Sequence, residues 1–110
     1  MIKELTKKAA PKSKDLQLDT VELKKAALIL RAINHQLRQK ILLLIHKQGK
    51  VNVSRIYAKL RIEQSVASQH LAVLRKAGFV STERDGQNIY YMVNYARVSQ
   101  VQDFARKLVG

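Results

Sequence analysis

The sequence has no cysteine and no tryptophan, a single proline, four glycines and only six aromatic residues, four Tyr and two Phe. Without cysteine there can be no disulfide, no thiolate metal site and no thiol redox switch. No run approaches the ~18 consecutive apolar residues that a membrane-spanning helix requires. The lysines near the N-terminus are followed by no apolar stretch of the kind that marks a secretory signal. The expectation is a cytoplasmic protein without membrane attachment. Acidic residues are also scarce, with 8 Asp and Glu against 21 Lys and Arg. Those carboxylates are scattered, no glycine-rich phosphate loop is present, and no nucleophile stands beside an evident base, so an enzyme is not expected.

What remains is a basic, aliphatic chain of 110 residues, 46% hydrophobic, with a formal charge of +13. That length makes one domain with one modest core. A core built from Leu, Ile, Val and Ala in place of aromatics points to helices. Residues 1–14, with five cations, one anion and Pro11, read as a mobile basic arm. Residues 15–110 still hold 16 Lys and Arg against 7 Asp and Glu, so the body itself carries +9. Such a body calls for a polyanionic partner. Nucleic acid fits better than a membrane surface, because no helix pairs a Lys-rich face with large aromatic anchors.

The chain is organised around QSVASQHLAVLRKAG, Gln64 to Gly78. Ala67, Leu71 and Leu74 form an apolar stripe at helical spacing, and Ser65, Ser68, Gln69, Ala72 and Lys76 fall on the opposite face. Hydroxyls and amides of that size can reach base edges in a major groove, and the cations Arg75 and Lys76 at the end can reach phosphate. Taken alone, the stretch reads equally as a DNA recognition helix or as an ordinary amphipathic helix. Its surroundings decide between them. A short helix, Val53 to Leu60 with Asn52 as its cap, precedes it by the three residues Arg61 to Glu63, which is a helix-turn-helix arrangement. After Gly78, Asp85-Gly86 sits between two runs rich in Val, Ile, Thr and Tyr and predicts a hairpin, with Val80 facing Tyr91 and Thr82 facing Ile89. Arg84, Gln87 and Asn88 at its tip make it a wing.

Further helices are predicted from about Asp15 to Ile33, from His35 to Gln48 with Asn34 as cap and Gly49 as stop, and from Tyr95 to Val109. The first becomes apolar all round after Ala26, and the last carries the stripe Val98, Val101, Phe104, Ala105 and Leu108. Two apolar faces at opposite ends of a small domain call for a second copy of the chain. Leu23, Ala27, Leu30, Val101, Phe104 and Leu108 are the expected dimer contacts. The fold class is therefore mainly α with a small β-hairpin, a winged helix-turn-helix dimerising through its first and last helices.

Over residues 20 to 108 the chain resembles the ArsR/SmtB-like family of bacterial winged-helix transcriptional repressors. AINHQLRQKILLLI, Ala32 to Ile45, is similar to the family's second-helix signature. Gln64, Ser65, Ser68, His70, Leu71, Leu74, Ala77 and Gly78 match its recognition helix, and Arg84, Gly86, Tyr90 and Tyr91 its wing. The resemblance implies a sequence-specific DNA-binding regulator, a repressor acting as a homodimer on a palindromic operator, with double-stranded DNA and its own second copy as partners. Gln64, Ser65, Ser68, Gln69, Arg75, Lys76, Arg84, Gln87 and Asn88 are then the expected DNA contacts. The alternative is a nonspecific or architectural nucleic-acid binder. The family's thiolate metal site falls on Asn52 and Ser54 here, beside Arg55, and its site on the last helix falls on Asn94 and Arg97. None of these side chains replaces the usual ligands for a transition metal. His35 and His46 lie about 16 Å apart along one helix, too far to share an ion, and His70 reads as a packed, hydrogen-bonded residue. No metal and no cofactor are expected, and no effector is identified.

Overall fold

A computed structural model describes residues 16–110. The segment 1–14 expected to be an arm lies outside them. Asp19 opens the first helix, α1, Thr20–Ile33, by accepting the Glu22 N–H on Oδ1 at 2.9 Å. The helix expected from about Asp15 therefore begins at Thr20, and Leu16 and Leu18 precede it in exposed, irregular chain. Asn34 does not cap the next helix. Its N–H bonds to the Leu30 carbonyl and closes α1, while His35 takes the capping place for α2, Gln36–Gln48, with Nδ1 3.4 Å from the Arg38 N–H. Intrinsic preference favours Asn over His as an N-cap, but here Asn34 is taken up in closing α1 and the cap falls to the next residue. Gly49, at φ 84°, ends α2 as expected.

Val51–Asn52 forms a two-residue strand, β1, before α3, Val53–Leu60, and Asn52 Oδ1 accepts from the Arg55 N–H at 3.0 Å. Recognition-helix candidate α4 spans Gln64–Lys76, followed by β2, Val80–Asp85, β3, Asn88–Val93, and α5, Tyr95–Val109. The three strands form one antiparallel sheet in the order β1-β3-β2. A strand as short as β1 leaves no alternating pattern to read, and only its pairing with Tyr90 and Tyr91 makes it one.

The hairpin register differs from expectation by two residues. Val80 pairs with Val93, Thr82 with Tyr91 and Arg84 with Ile89, and Asp85 pairs with Asn88 across a loop of Gly86 and Gln87. Gly86 holds φ 65° at the first loop position, where a II′-like turn needs a residue free of Cβ, so glycine and not aspartate sets the register. A shift of two keeps every side chain on its face. It does move Ile89 out toward the tip, where it is exposed and no part of the core.

The core lies where α2, α3, α4 and the root of the hairpin meet. Ile41, Ile45, Ile56, Ala67, Leu71, Leu74 and Phe79 are fully buried there. Burying such side chains contributes roughly 1.5–3 kcal/mol each. By contrast α5 has no buried residue and α1 has only Ala32.

Candidate nucleic-acid interface

The face of α4 that could read DNA is set by what the opposite face does. Ala67, Leu71 and Leu74 are each 0% exposed, so the helix cannot roll, and Gln64, Ser65, Ser68, Gln69, Ala72, Arg75 and Lys76 are held in solvent. Its ends are equally defined. At the front, Arg61 adopts the left-handed conformation, φ 57°, and the Ile62 N–H bonds to the Tyr57 carbonyl at 3.1 Å. That closes α3 in the place where a glycine is often found. At the back, the Gly78 N–H reaches the Arg75 carbonyl and the Phe79 N–H the Leu74 carbonyl, at 3.0 and 2.9 Å. This pair of bonds is a Schellman stop. It ends the helix two residues before the Gly78 expected from sequence and drops Phe79 into the core.

Thirteen residues at 1.5 Å rise make α4 about 20 Å long, and a B-form major groove about 12 Å wide admits such a helix. Hydroxyl and amide groups occupy its first two turns and cations its last. On the wing, Arg84, Gln87 and Asn88 are all exposed, although Asn88 belongs to β3 and not to the loop. The two wing carboxylates would repel phosphate. One of them, Glu83, is engaged by Lys50 Nζ at 2.6 Å, and that contact raises the Lys50 pKa. Lys50 also stands 5.5 Å from the Tyr90 ring centroid. Its contribution to the wing was not read from sequence, because 33 residues separate it from Glu83.

Behind the recognition helix lies a polar cluster that joins three helices. Arg38 of α2 donates from Nε to the Ala32 carbonyl at 2.7 Å and from Nη2 to the Arg31 carbonyl at 3.3 Å, satisfying the last turn of α1. Its Nη1 donates to Nδ1 of His70 on α4 at 3.2 Å. The His35 ring lies 4.8 Å from that of His70, centroid to centroid. Burial lowers the His70 pKa, and His35 and Arg38 lower it further. His70 is thus a packed, hydrogen-bonded residue, as expected. Its pairing with His35 was missed, since the two are on different helices.

The positions that correspond to metal sites in the resembling family serve the backbone here. Ser54 Oγ donates to Asn52 Oδ1 at 3.1 Å while Asn52 caps α3. Asn94 caps α5 through the Arg97 N–H at 3.3 Å and donates from Nδ2 to the Gly78 carbonyl at 2.9 Å. The Arg97 guanidinium covers Gly78 so closely that a Cβ there would lie 3.0 Å from Nε. The start of α5 is therefore pinned to the end of the recognition helix. His46 Nδ1 and the Tyr95 hydroxyl, 2.7 Å apart, tie α5 to α2 as well. Among the described residues no three His, Asp or Glu side chains are grouped so as to hold a metal ion.

The six expected dimer contacts are not equivalent. Leu23, Ala27, Phe104 and Leu108 are exposed, whereas Leu30 is half-buried and Val101 packs partly on the protomer's own core. Ala27, Leu30, Val98, Val101 and Ala105 line an open apolar cleft between α1 and α5. No helix among the described residues is long and apolar enough to cross a membrane.

Residues 35–82 match the model for the bacterial regulatory proteins of the arsR family. The transcriptional activator HlyU of Vibrio cholerae is 30% identical over 76% of this chain and 77% of its own length. The transcriptional repressor PagR of Bacillus anthracis is 31% identical over 79% and 87%. The crystal structure of NolR from Sinorhizobium fredii superposes with a TM-score of 0.67 and 31% identity, covering 86% of this chain and 96% of NolR. Sequence signature, helix-turn-helix, wing and relatives agree: the chain belongs to the arsR family of bacterial regulatory proteins and is a DNA-binding transcriptional regulator, not an enzyme.

Proposed function

We propose that the protein is a repressor that binds a palindromic operator as a homodimer, with one α4 in each of two successive major grooves. The observation that carries this reading is the exposed row Ser65, Ser68 and Gln69 on a helix anchored by the fully buried Ala67, Leu71 and Leu74. A binder that needed only charge would gain from lysine at those positions, where the chain instead has groups able to discriminate bases. Arg75, Lys76 and Arg84 hold phosphate. The apolar surfaces of α1 and α5 associate with those of a second copy, which spaces the half-sites about 34 Å apart. Occupying a promoter in this way excludes the transcription machinery. Among the relatives, PagR is named a repressor and HlyU an activator. A regulator that acts on chromosomal DNA in this way works in the cytoplasm. It works without a metal, because Asn52, Ser54, Asn94 and Arg97 are engaged in capping and bracing backbone.

Selecting bound genomic fragments supplies the operator, and titrations against it and against random duplex at several salt concentrations test the assignment. Alanine at Ser68 or Gln69 is expected to cost about 1–3 kcal/mol on the operator only. Arg75→Gln should weaken both DNAs alike and flatten the salt slope by about one unit. Less than ~100-fold preference for the operator, with equal losses on both DNAs for every variant, would favour the nonspecific binder. In the same assay, low-micromolar zinc, cadmium or arsenite should leave operator affinity unchanged, and a chelator-reversible release would refute the metal-free reading.

A further inference from the structure

A second apolar groove lies on the far side of α1, between it and the recognition helix. It has a volume of about 350 Å³, with Leu28 and Ile29 on one wall, Val73 and Ala77 on the other, and Lys25 and Lys76 at the rim. Leu28 is 56% exposed and Val73 39% exposed, so large aliphatic surface is left wet beside the DNA-reading face. Among the described residues neither lysine has an ion-pair partner. The groove therefore fits an occupant that is aliphatic and acidic.

The same chain displays such a segment. Leu16, Leu18, Val21 and Leu23 are 82%, 63%, 61% and 57% exposed, and between them stand Asp19 and Glu22. These are the only carboxylates between residues 16 and 62, a stretch that is otherwise strongly basic. The segment cannot fill the groove of its own protomer. Thr20–Ile33 is one continuous helix, and the eight residues of it that stand between Leu18 and Leu28 hold the segment about 12 Å away along the axis with no hinge between. A second copy has no such restriction. In a two-fold dimer with α1 helices running antiparallel, the N-terminal end of one α1 lies beside the C-terminal half of the other, from which the irregular residues ahead of the helix can pass round α1 to the groove, and the contact is made twice.

We infer that the segment 16–23 of one protomer seats in the α1–α4 groove of its partner, aliphatic side chains against Leu28 and Val73 and the carboxylates of Asp19 and Glu22 against Lys25 at the rim. This rests on the homodimer proposed above and adds to it a contact made directly on the recognition helix. Dimerisation then not only spaces two reading heads but clamps each one.

The absence of cysteine makes the test direct. Chains carrying Leu16→Cys, Leu18→Cys or Val21→Cys are each mixed with a chain carrying Val73→Cys, oxidised, and compared with mixtures in which Ser54→Cys on α3 replaces Val73→Cys. All these sites are at the surface, and each variant is first sized by sedimentation. At least one of the three should form a disulfide between chains with Val73→Cys and none with Ser54→Cys. Glu22→Lys should weaken dimerisation about tenfold and Lys25→Glu in the same chain should restore it, because the swap rebuilds the pair across the seam. A dimer by sedimentation that forms none of the three disulfides overturns this inference and leaves the homodimer standing, while a monomer overturns both. Decanoate that protects Val73→Cys from maleimide, with no disulfide to the segment, would assign the groove to a small amphiphile and overturn the inference too.

Discussion

The two halves of the molecule solve the problem of apolar surface differently. In the reading half, α2, α3, α4 and the hairpin bury Ile41, Ile45, Ile56, Leu71, Leu74 and Phe79 completely. In the flanking half, α5 buries nothing fully, and Leu23, Leu28, Phe104 and Leu108 remain exposed. The reading half is complete within one chain. The flanking half leaves much of its apolar surface outside, and it is attached to the reading half both by Ala32, Ile33, Val98 and Val101 packing on the core and by polar ties: Arg38 to the end of α1, Asn94 and Arg97 to Gly78, and His46 to Tyr95.

The sharpest way to break that contrast is to truncate the same aromatic in each half. Phe79→Ala should cost about 3–5 kcal/mol in urea unfolding of the isolated protomer. Phe104→Ala, at a side chain 39% exposed, should cost far less under conditions where the chain is monomeric. Equal losses would mean that the two halves form one core.

Next comes the effect of uncoupling the copies. The double variant Leu30→Glu, Phe104→Glu should sediment as a monomer, keep its helical circular dichroism, and lose roughly 10²–10⁴ in operator affinity, since the second half-site no longer binds as an intramolecular event. A variant that still sediments as a dimer would place the interface elsewhere.

A smaller effect sits at the junction of the halves. His70 accepts from Arg38 through an unprotonated Nδ1, and its pKa in the folded state is lowered from the ordinary histidine value near 6.5. The folded protein therefore binds fewer protons than the unfolded chain in this window. The stability of this arrangement is complete above about pH 6.5 and declines as the pH falls through the folded pKa. The urea midpoint should drop between pH 7 and pH 5, and His70→Gln, which can still accept from Arg38, should flatten that drop. An unchanged slope in the variant would remove His70 from the linkage.

The smallest concerns the turn within the reading half. Arg61 sits in the left-handed region, and Arg61→Gly should relieve that strain, with a stability gain of up to ~1 kcal/mol in thermal unfolding. A loss would show that the arginine side chain contributes more than its backbone costs.

Much of this was legible without coordinates. The stripe Ala67, Leu71 and Leu74, the caps Asn52 and Gly49 and the span of α5 follow from periodicity and local hydrogen bonding, which act within four residues. The boundaries that misread did so where two adjacent residues competed for one role, as Asn34 and His35 did for a cap and Asp85 and Gly86 for the first place in the loop. The candidate DNA face was readable for the same reason as the core stripe, because on a single helix the face opposite a buried stripe is the one left to solvent. The basic charge and the missing cysteine are properties of composition, and they named a polyanionic partner and excluded thiol chemistry before any fold was known.

Tertiary structure alone decided whatever depends on residues far apart in the chain meeting. Val51–Asn52 is a strand only because Tyr90 and Tyr91 lie beside it. His35, Arg38 and His70 form a cluster only because α2 and α4 cross. Asn94 and Arg97, which by their place in the chain could have been vestiges of a metal site, prove to brace the end of the recognition helix. Local sequence determines which surfaces a helix presents, since those follow from the 3.6-residue turn. Which surface meets which is settled by packing the whole chain, because no single helix can bury its apolar face alone.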